Sequence, residues 1–175
     1  DAEEADRLYL ALDMIEAVFA DPDLEGWEGF GIVVQAYQKR ALPVLNWVID
    51  LSRRVGRKMM LRLVKGADWD SEIKLAQLDG LTGYPVFTRK ASTDVSYQAC
   101  AGLLLDNRDA VFPQFATHNA YSVAYILERA GGELHGLEFQ KLHGMGDGLY
   151  DELVTSRTVS VRIYAPVGEH KSLLA

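Results

Sequence analysis

Leu61-Arg62-Leu63-Val64-Lys65-Gly66-Ala67-Asp68-Trp69-Asp70-Ser71-Glu72 carries a strand pattern directly into a helix pattern. Met59 to Val64 is apolar except for Arg62, as expected of a buried strand covered on both faces. Gly66 ends the run, and Asp70 or Ser71 can cap a helix whose periodic residues are Ile73, Leu75, Ala76 and Leu78. Arg62 and Lys65 lie near the carboxyl end of this strand, where a charge is costly unless something anionic or electron-rich meets it. In α/β folds that end of the sheet is where ligands bind.

The same alternation extends to either side. Leu8, Leu12, Ile15 and Phe19 mark a helix face, with acidic residues crowding the expected first turn, and Asp21-Pro22-Asp23 stops it. Phe30 to Ala36 reads as a strand, followed by a helix from about Ala41 to Val55 with Pro43 in its first turn. Beyond the central stretch, Gly80 to Ser92 is a long connection, and Thr93 or Asp94 opens a helix through Leu105. Connections of that length within a compact domain are more often functional than idle. Val111 to Ala116, Leu137 to Leu142 and Val159 to Ala165 are three more strands, with helices expected over Ala120–Ala130, Asp147–Val154 and from Pro166 onward.

Five strands, each followed by helix, imply a parallel sheet. No glycine-rich phosphate turn follows the first strand, which disfavours a doubly wound nucleotide-binding sheet. Polar residues recur at the strand ends, which favours a (β/α) barrel, yet a closed barrel needs eight strands and about 250 residues. The expected fold class is therefore α/β, a partial (β/α)8 TIM-like barrel comprising about the last five strands with their helices. Residues 1–175 would form one domain, truncated at both ends.

Composition narrows the function. With 49% hydrophobic and 25% charged residues the 175-residue chain is ordinary for a soluble domain, and a formal charge of −7 argues against a general nucleic-acid surface. The single cysteine, Cys100, lies in an Ala/Leu-rich helical pattern and reads as a buried thiol. The expected compartment is reducing and cytoplasmic, without a signal peptide or membrane span.

Gln35, Arg62, Lys65, Thr117, His118, Asn119, Gln140, His143 and Tyr164 fall at or near strand carboxyl ends. Any one of them is explained by capping or a rim ion pair; five successive strands ending this way favour a ligand site. His118 and His143 lack a cluster of carboxylates or cysteines, so hydrogen bonding is expected of them and no metal site. Asp70 reads as a cap, and Lys39-Arg40 and Arg53-Arg54 as solvated helix charges. Trp47 reads as core, while Trp69 could line a ligand.

Arg62-Leu63-Val64-Lys65-Gly66-Ala67 with Trp69-Asp70-Ser71-Glu72 resembles the flavin-contacting strand of the proline dehydrogenase family, in the version within bifunctional proline utilization A. Gly83 to Lys90, Pro113 to Asn119, Phe139-Gln140 with Leu142 to Gly146, and Arg162 to Gly168 are similar to further motifs of that family, in order and nearly end to end. The resemblance implies a distorted (β/α)8 barrel that holds FAD noncovalently and oxidises L-proline to pyrroline-5-carboxylate, with electrons passed to a membrane quinone. It places Arg62 near flavin N5 as the catalytic cation, stabilising charge on the reduced ring. Gln35, Val64, Gly66, Trp69, Thr88, Lys90, Thr117, His118, Asn119 and Gln140 would hold FAD. Asp1, Ala67, Leu142 and Tyr164 would line the proline pocket. Gly66 would permit close approach of backbone to ligand.

Three departures accompany the resemblance. Position 68 is normally tyrosine in the family and is Asp68 here; the family's arginine pair would follow Ala175; and its early strands, with a substrate-contacting lysine, would precede Asp1. Little turnover is expected of the isolated 175 residues. Quinone reduction implies peripheral membrane contact for a parent protein, and no nucleic acid is expected to bind this segment. Two other readings stand beside this one, a non-catalytic flavin-binding remnant and a flavin-independent barrel enzyme acting on a phosphate-bearing substrate.

Overall fold

A computed structural model of the chain describes residues 5–156 and 159–168. Five strands form one parallel sheet in the order β1 (Gly31–Gln35), β2 (Met59–Val64), β3 (Val111–Ala116), β4 (Glu138–Leu142), β5 (Ser160–Tyr164). Helices α1 (Leu8–Phe19), α2 (Ala41–Val55), α3 (Trp69–Leu78), α4 (Lys90–Asp106), α5 (Ala120–Arg129) and α6 (Asp147–Ser156) precede or connect them. Spatial order follows chain order without reversal. That is the winding of a (β/α) barrel, whereas a doubly wound sheet reverses at a switch point.

The core lies between the sheet and its helices. Met59, Leu61 and Leu63 of β2 are fully buried with Val111, Phe115 and Phe139, against Leu45 and Val48 of α2 and Tyr97, Cys100 and Leu104 of α4. Burial of this apolar area is the main stabilising term, about 25 cal/mol per Å². Cys100 is a free, buried thiol, and burial pushes its pKa up to about 11, so it is packing rather than chemistry. Among the described residues no helix is long and apolar enough to cross a membrane.

β2 corrects one expectation. It is not sealed on both faces: Met60, Arg62 and Val64 are only half-buried, alternating with the buried set. A strand alternates its side chains, so a single helix-packed face leaves the other to line a cleft. The opposite face of the sheet carries Arg62, Gln114, Glu138, Gln140 and Arg162, which register side by side across neighbouring strands.

Helix starts differ too. The cap position of α3 is Asp68, with no side-chain capping bond, rather than Asp70 or Ser71, which lie inside the helix. α4 begins at Lys90, ahead of Thr93 and Asp94, because the preceding connection is tied down: Lys39 N–H donates to Pro85 O and Phe87 N–H to Tyr37 O. α1 has no acidic residue in its first turn; a 3-10 turn, Ala5–Arg7, precedes it, held where Glu72 accepts from Ala5 N–H at 3.0 Å and Arg40 donates to Ala5 O. Arg40 is thus half-buried over the Tyr9 ring, not a solvated charge, while Arg53 pairs with Asp109 and Arg54 with Glu16. The helix expected from Pro166 is not formed over residues 166–168, and its remainder lies outside the described residues.

Candidate active site

A cleft of about 510 Å³ opens at the carboxyl ends of the strands. It is lined by Val33 and Gln35 of β1, Arg62 and Val64 of β2, the turn from Lys65 to Asp68, Lys90, the segment Ala116 to Asn119, and Tyr164. That volume suits a sizeable ligand. A second hollow of about 410 Å³, between α1 and β1, is lined largely by apolar side chains such as Leu12, Ile15 and Phe30 and gathers no charged group.

Arg62 is the best-fixed cation in the cleft. Its Nε donates to Gln140 Oε1 at 2.9 Å, and its guanidinium lies 4.9 Å from the centroid of the Tyr164 ring. Gln140 in turn donates from Nε2 to buried Glu138 at 2.8 Å. Burial pushes the Glu138 carboxyl up, but donation from Arg162 and Gln140 outweighs it and holds the group below its ordinary value.

A second basic group comes from two elements. Lys65 Nζ donates to Asp94 Oδ1 at 2.6 Å and Lys90 Nζ to Asp94 Oδ2 at 2.7 Å, with Lys65 also 5.7 Å from the Tyr97 ring centroid. Hydrogen bonds from Lys65, then from Lys90, hold Asp94 below the usual carboxylate range. Two cations share one anion here, which leaves net positive charge facing the cleft. On a helix, lysine four residues before an acid is the less favourable order, so local helix stability does not account for the pair.

The Thr117-His118-Asn119 turn is built by hydrogen bonds. Asn119 Oδ1 accepts from Ser122 N–H at 2.9 Å and caps α5, while Asn119 N–H donates to Thr117 Oγ1. His118 Nε2 accepts from Leu142 N–H at 2.9 Å, which puts the ring proton on Nδ1. Tyr150 of α6 braces the turn from behind, its hydroxyl 2.6 Å from Thr117 O and 3.2 Å from Gln140 O.

The cleft therefore gathers Gln35, Arg62, Val64, Gly66, Ala67, Lys90, Thr117, His118, Asn119 and Tyr164 from the expected set. Gln140 stands behind Arg62, and Leu142 reaches the cleft only through its backbone contact with His118. Trp69 and Thr88 are not brought to it: the Trp69 indole donates to Phe87 O at 2.8 Å, and Thr88 is exposed on the connection before α4. Asp1 lies outside the described residues. His143 is exposed, and no three metal-ligating side chains gather among the described residues.

Gly66 lines the cleft and is also constrained from within the protein. Its φ is +135°, and an added Cβ would lie 2.4 Å from the Tyr37 ring. Packing against that tyrosine by itself excludes a side chain at this position. Asp94, expected only as a helix opener, and Glu138 and Tyr150 are not site residues on the sequence pattern alone. The available signal for Glu138 is its place in a strand pattern, Leu137 to Leu142, that alternates apolar Leu137 and Phe139 with polar Glu138 and Gln140; Asp94 and Tyr150 read as ordinary helix residues.

The sequence model of the proline dehydrogenase family matches residues 1–175. The chain is 54% identical to the bifunctional protein PutA of Escherichia coli over 183 aligned residues and 57% identical to that of Rhizobium meliloti over 179, covering all of this chain and 14% of each relative. It therefore spans about one-seventh of the length of these relatives. A solved structure of proline utilization A from Bradyrhizobium japonicum superposes with a TM-score of 0.94 at 60% identity, over 99% of this chain and 18% of that one. The proline utilization A of Bdellovibrio bacteriovorus, inactivated by N-propargylglycine, superposes with a TM-score of 0.90 at 34% identity, over 95% of this chain and 18% of its own. The cleft at the strand ends, the unreversed parallel sheet and the family match over residues 1–175 lead to one conclusion: the chain belongs to the proline dehydrogenase family.

Proposed function

We propose that this chain forms the carboxyl-terminal five-stranded part of a (β/α)8 barrel that oxidises L-proline to pyrroline-5-carboxylate with FAD. The observation that carries the reading is Arg62, fixed by Gln140 and Tyr164 in a cleft that also gathers Lys65 and Lys90. The donor set suits such a cofactor. A guanidinium that can only donate fits an electron-rich ring, and two lysines sharing a single carboxylate fit a diphosphate arm.

Bound FAD would supply the two-electron acceptor, taking hydride from the proline ring carbon while the amine proton leaves to solvent. Arg62, already fixed by Gln140 and Tyr164, would stabilise negative charge at the flavin ring without having to reorganise. Lys90, with Lys65, would hold the anionic arm; Gln35, Val64, Gly66 and the Thr117-His118-Asn119 turn would form the walls; Ala67 and Tyr164 would border the proline site. A quinone at a membrane surface would be the eventual electron acceptor for the parent protein.

Asp68 favours a second reading, a flavin site with impaired proline oxidation. Its side chain lines the cleft next to Ala67 and makes no hydrogen bond or ion pair among the described residues. A carboxylate there opposes the carboxylate of proline. FAD titration followed by visible absorbance, with L-proline added without oxygen, tests both. Saturable binding with bleaching is expected of the holoenzyme carrying this chain. Binding without bleaching, restored by Asp68→Tyr, supports the second reading, and no flavin binding overturns both.

A further inference from the structure

Glu138 lies two residues before Gln140, the residue that touches Arg62, and the hydrogen bonds from Arg62 through Gln140 to Glu138 can run in only one direction. Oε1 of Glu138 accepts from Gln114 Nε2 at 2.8 Å, Gln140 Nε2 at 2.8 Å and Arg162 Nε at 2.7 Å, and Oε2 accepts from Arg162 Nη2 at 3.0 Å. Glu138 and Gln140 are both 5% exposed, so water does not compete for these bonds. An ionised carboxylate only accepts and a guanidinium only donates. An amide placed between them has one possible orientation, nitrogen toward Glu138 and oxygen toward Arg62. Reversed, Gln140 would set N–H against N–H at Arg62 and oxygen against oxygen at Glu138.

We propose that Glu138 is a positioning residue for the reaction: acting through Gln140, it fixes the acceptor that aims Arg62 into the cleft. Arg162 anchors the chain from β5 with a two-point grip on the carboxylate, so the relay crosses the sheet from β5 through β4 to β2. Gln114, adjacent to Arg62 in register, likewise donates its amide nitrogen to Glu138, while the oxygen that accepts from Arg62 Nε is that of Gln140. The inference rests on the proposed flavin chemistry for its kinetic test, but its geometry does not depend on it.

Glu138→Gln keeps the size and replaces one of the two acceptor oxygens with a donor, so Gln140 is no longer held to a single orientation. The test is a double-mutant cycle of Glu138→Gln and Arg62→Ala in the flavin-loaded holoenzyme, read as the rate of flavin reduction by L-proline and as the flavin reduction potential. Glu138→Gln alone should slow reduction roughly tenfold or more and lower the potential, yet change the rate less than about twofold when Arg62 is already alanine. Equal losses in both backgrounds would overturn the proposal, because a merely structural residue acts independently of Arg62. Gln140→Leu should reproduce the pattern and serves if Glu138→Gln fails to fold. A crystal structure of Glu138→Gln without flavin should show Arg62 Nε beyond hydrogen-bonding reach of Gln140, and an unchanged contact would overturn the proposal even if proline oxidation itself is not observed.

Discussion

At the residue scale, charge in the cleft is arranged in pairs whose removal has a calculable sign. Asp94 is held below its ordinary value of 3.8 by Lys65 and Lys90. A depressed acid contributes stability above its unfolded pKa and loses it as pH falls through the folded value. Asp94→Asn should therefore cost about 0.2–1 kcal/mol near pH 7, with the difference from the parent closing below about pH 4 in urea titrations. Lys65→Ala or Lys90→Ala should instead weaken FAD by roughly tenfold, since a hydrogen bond to a charged group contributes about 1.5–3 kcal/mol. Added salt should shrink that difference; a salt-independent loss would argue against contact with the diphosphate.

At the element scale, the turn after β2 and the turn after β3 depend on residues packed beneath them. Gly66→Ala meets both a backbone angle that side chains avoid and the Tyr37 ring. It should cost about 2 kcal/mol or more by denaturant unfolding, well above an ordinary surface change. Tyr150→Phe removes the hydroxyl that bonds Thr117 O, with an expected cost of about 1–2 kcal/mol. Burial, and then the nearby Tyr164, push the Tyr150 pKa up to about 12 from 10. A raised pKa means stability present below the unfolded value and lost as pH rises through the folded one. Tyr150→Phe should remove that part of the alkaline loss between pH 10 and 12, which unfolding at a pH series would detect.

At the scale of the whole molecule, β1 pairs only with β2 and β5 only with β4 among the described residues, leaving two sheet edges. Tyr9, Leu10 and Met14 of α1 are each at least 60% exposed on the first helix. Open parallel edges and exposed apolar helix surface both favour association. The 175-residue chain by itself should self-associate at micromolar concentration in sedimentation velocity. A monodisperse monomer would show that these surfaces are tolerated.

The order of elements, the parallel sheet and most strand ends were legible in the sequence, because apolar runs alternating with helical periodicity are local properties. The five strands fall within the expected segments, and α2 matches the expected range, Ala41–Val55. The family was equally legible, since its motifs are long and lie in order. What local pattern could not supply was the partner of each polar group. That Arg62 faces Gln140 follows from strand register between residues 78 positions apart in sequence, and the contact that excludes a side chain at Gly66 comes from a tyrosine on another loop. Asp94 and Tyr150 acquire their roles only when α4 and α6 pack beside the strand ends. Sequence thus determined the elements and the family, through short-range periodicity and motif; tertiary structure decided which side chains meet, because hydrogen bonds and burial depend on distance in space.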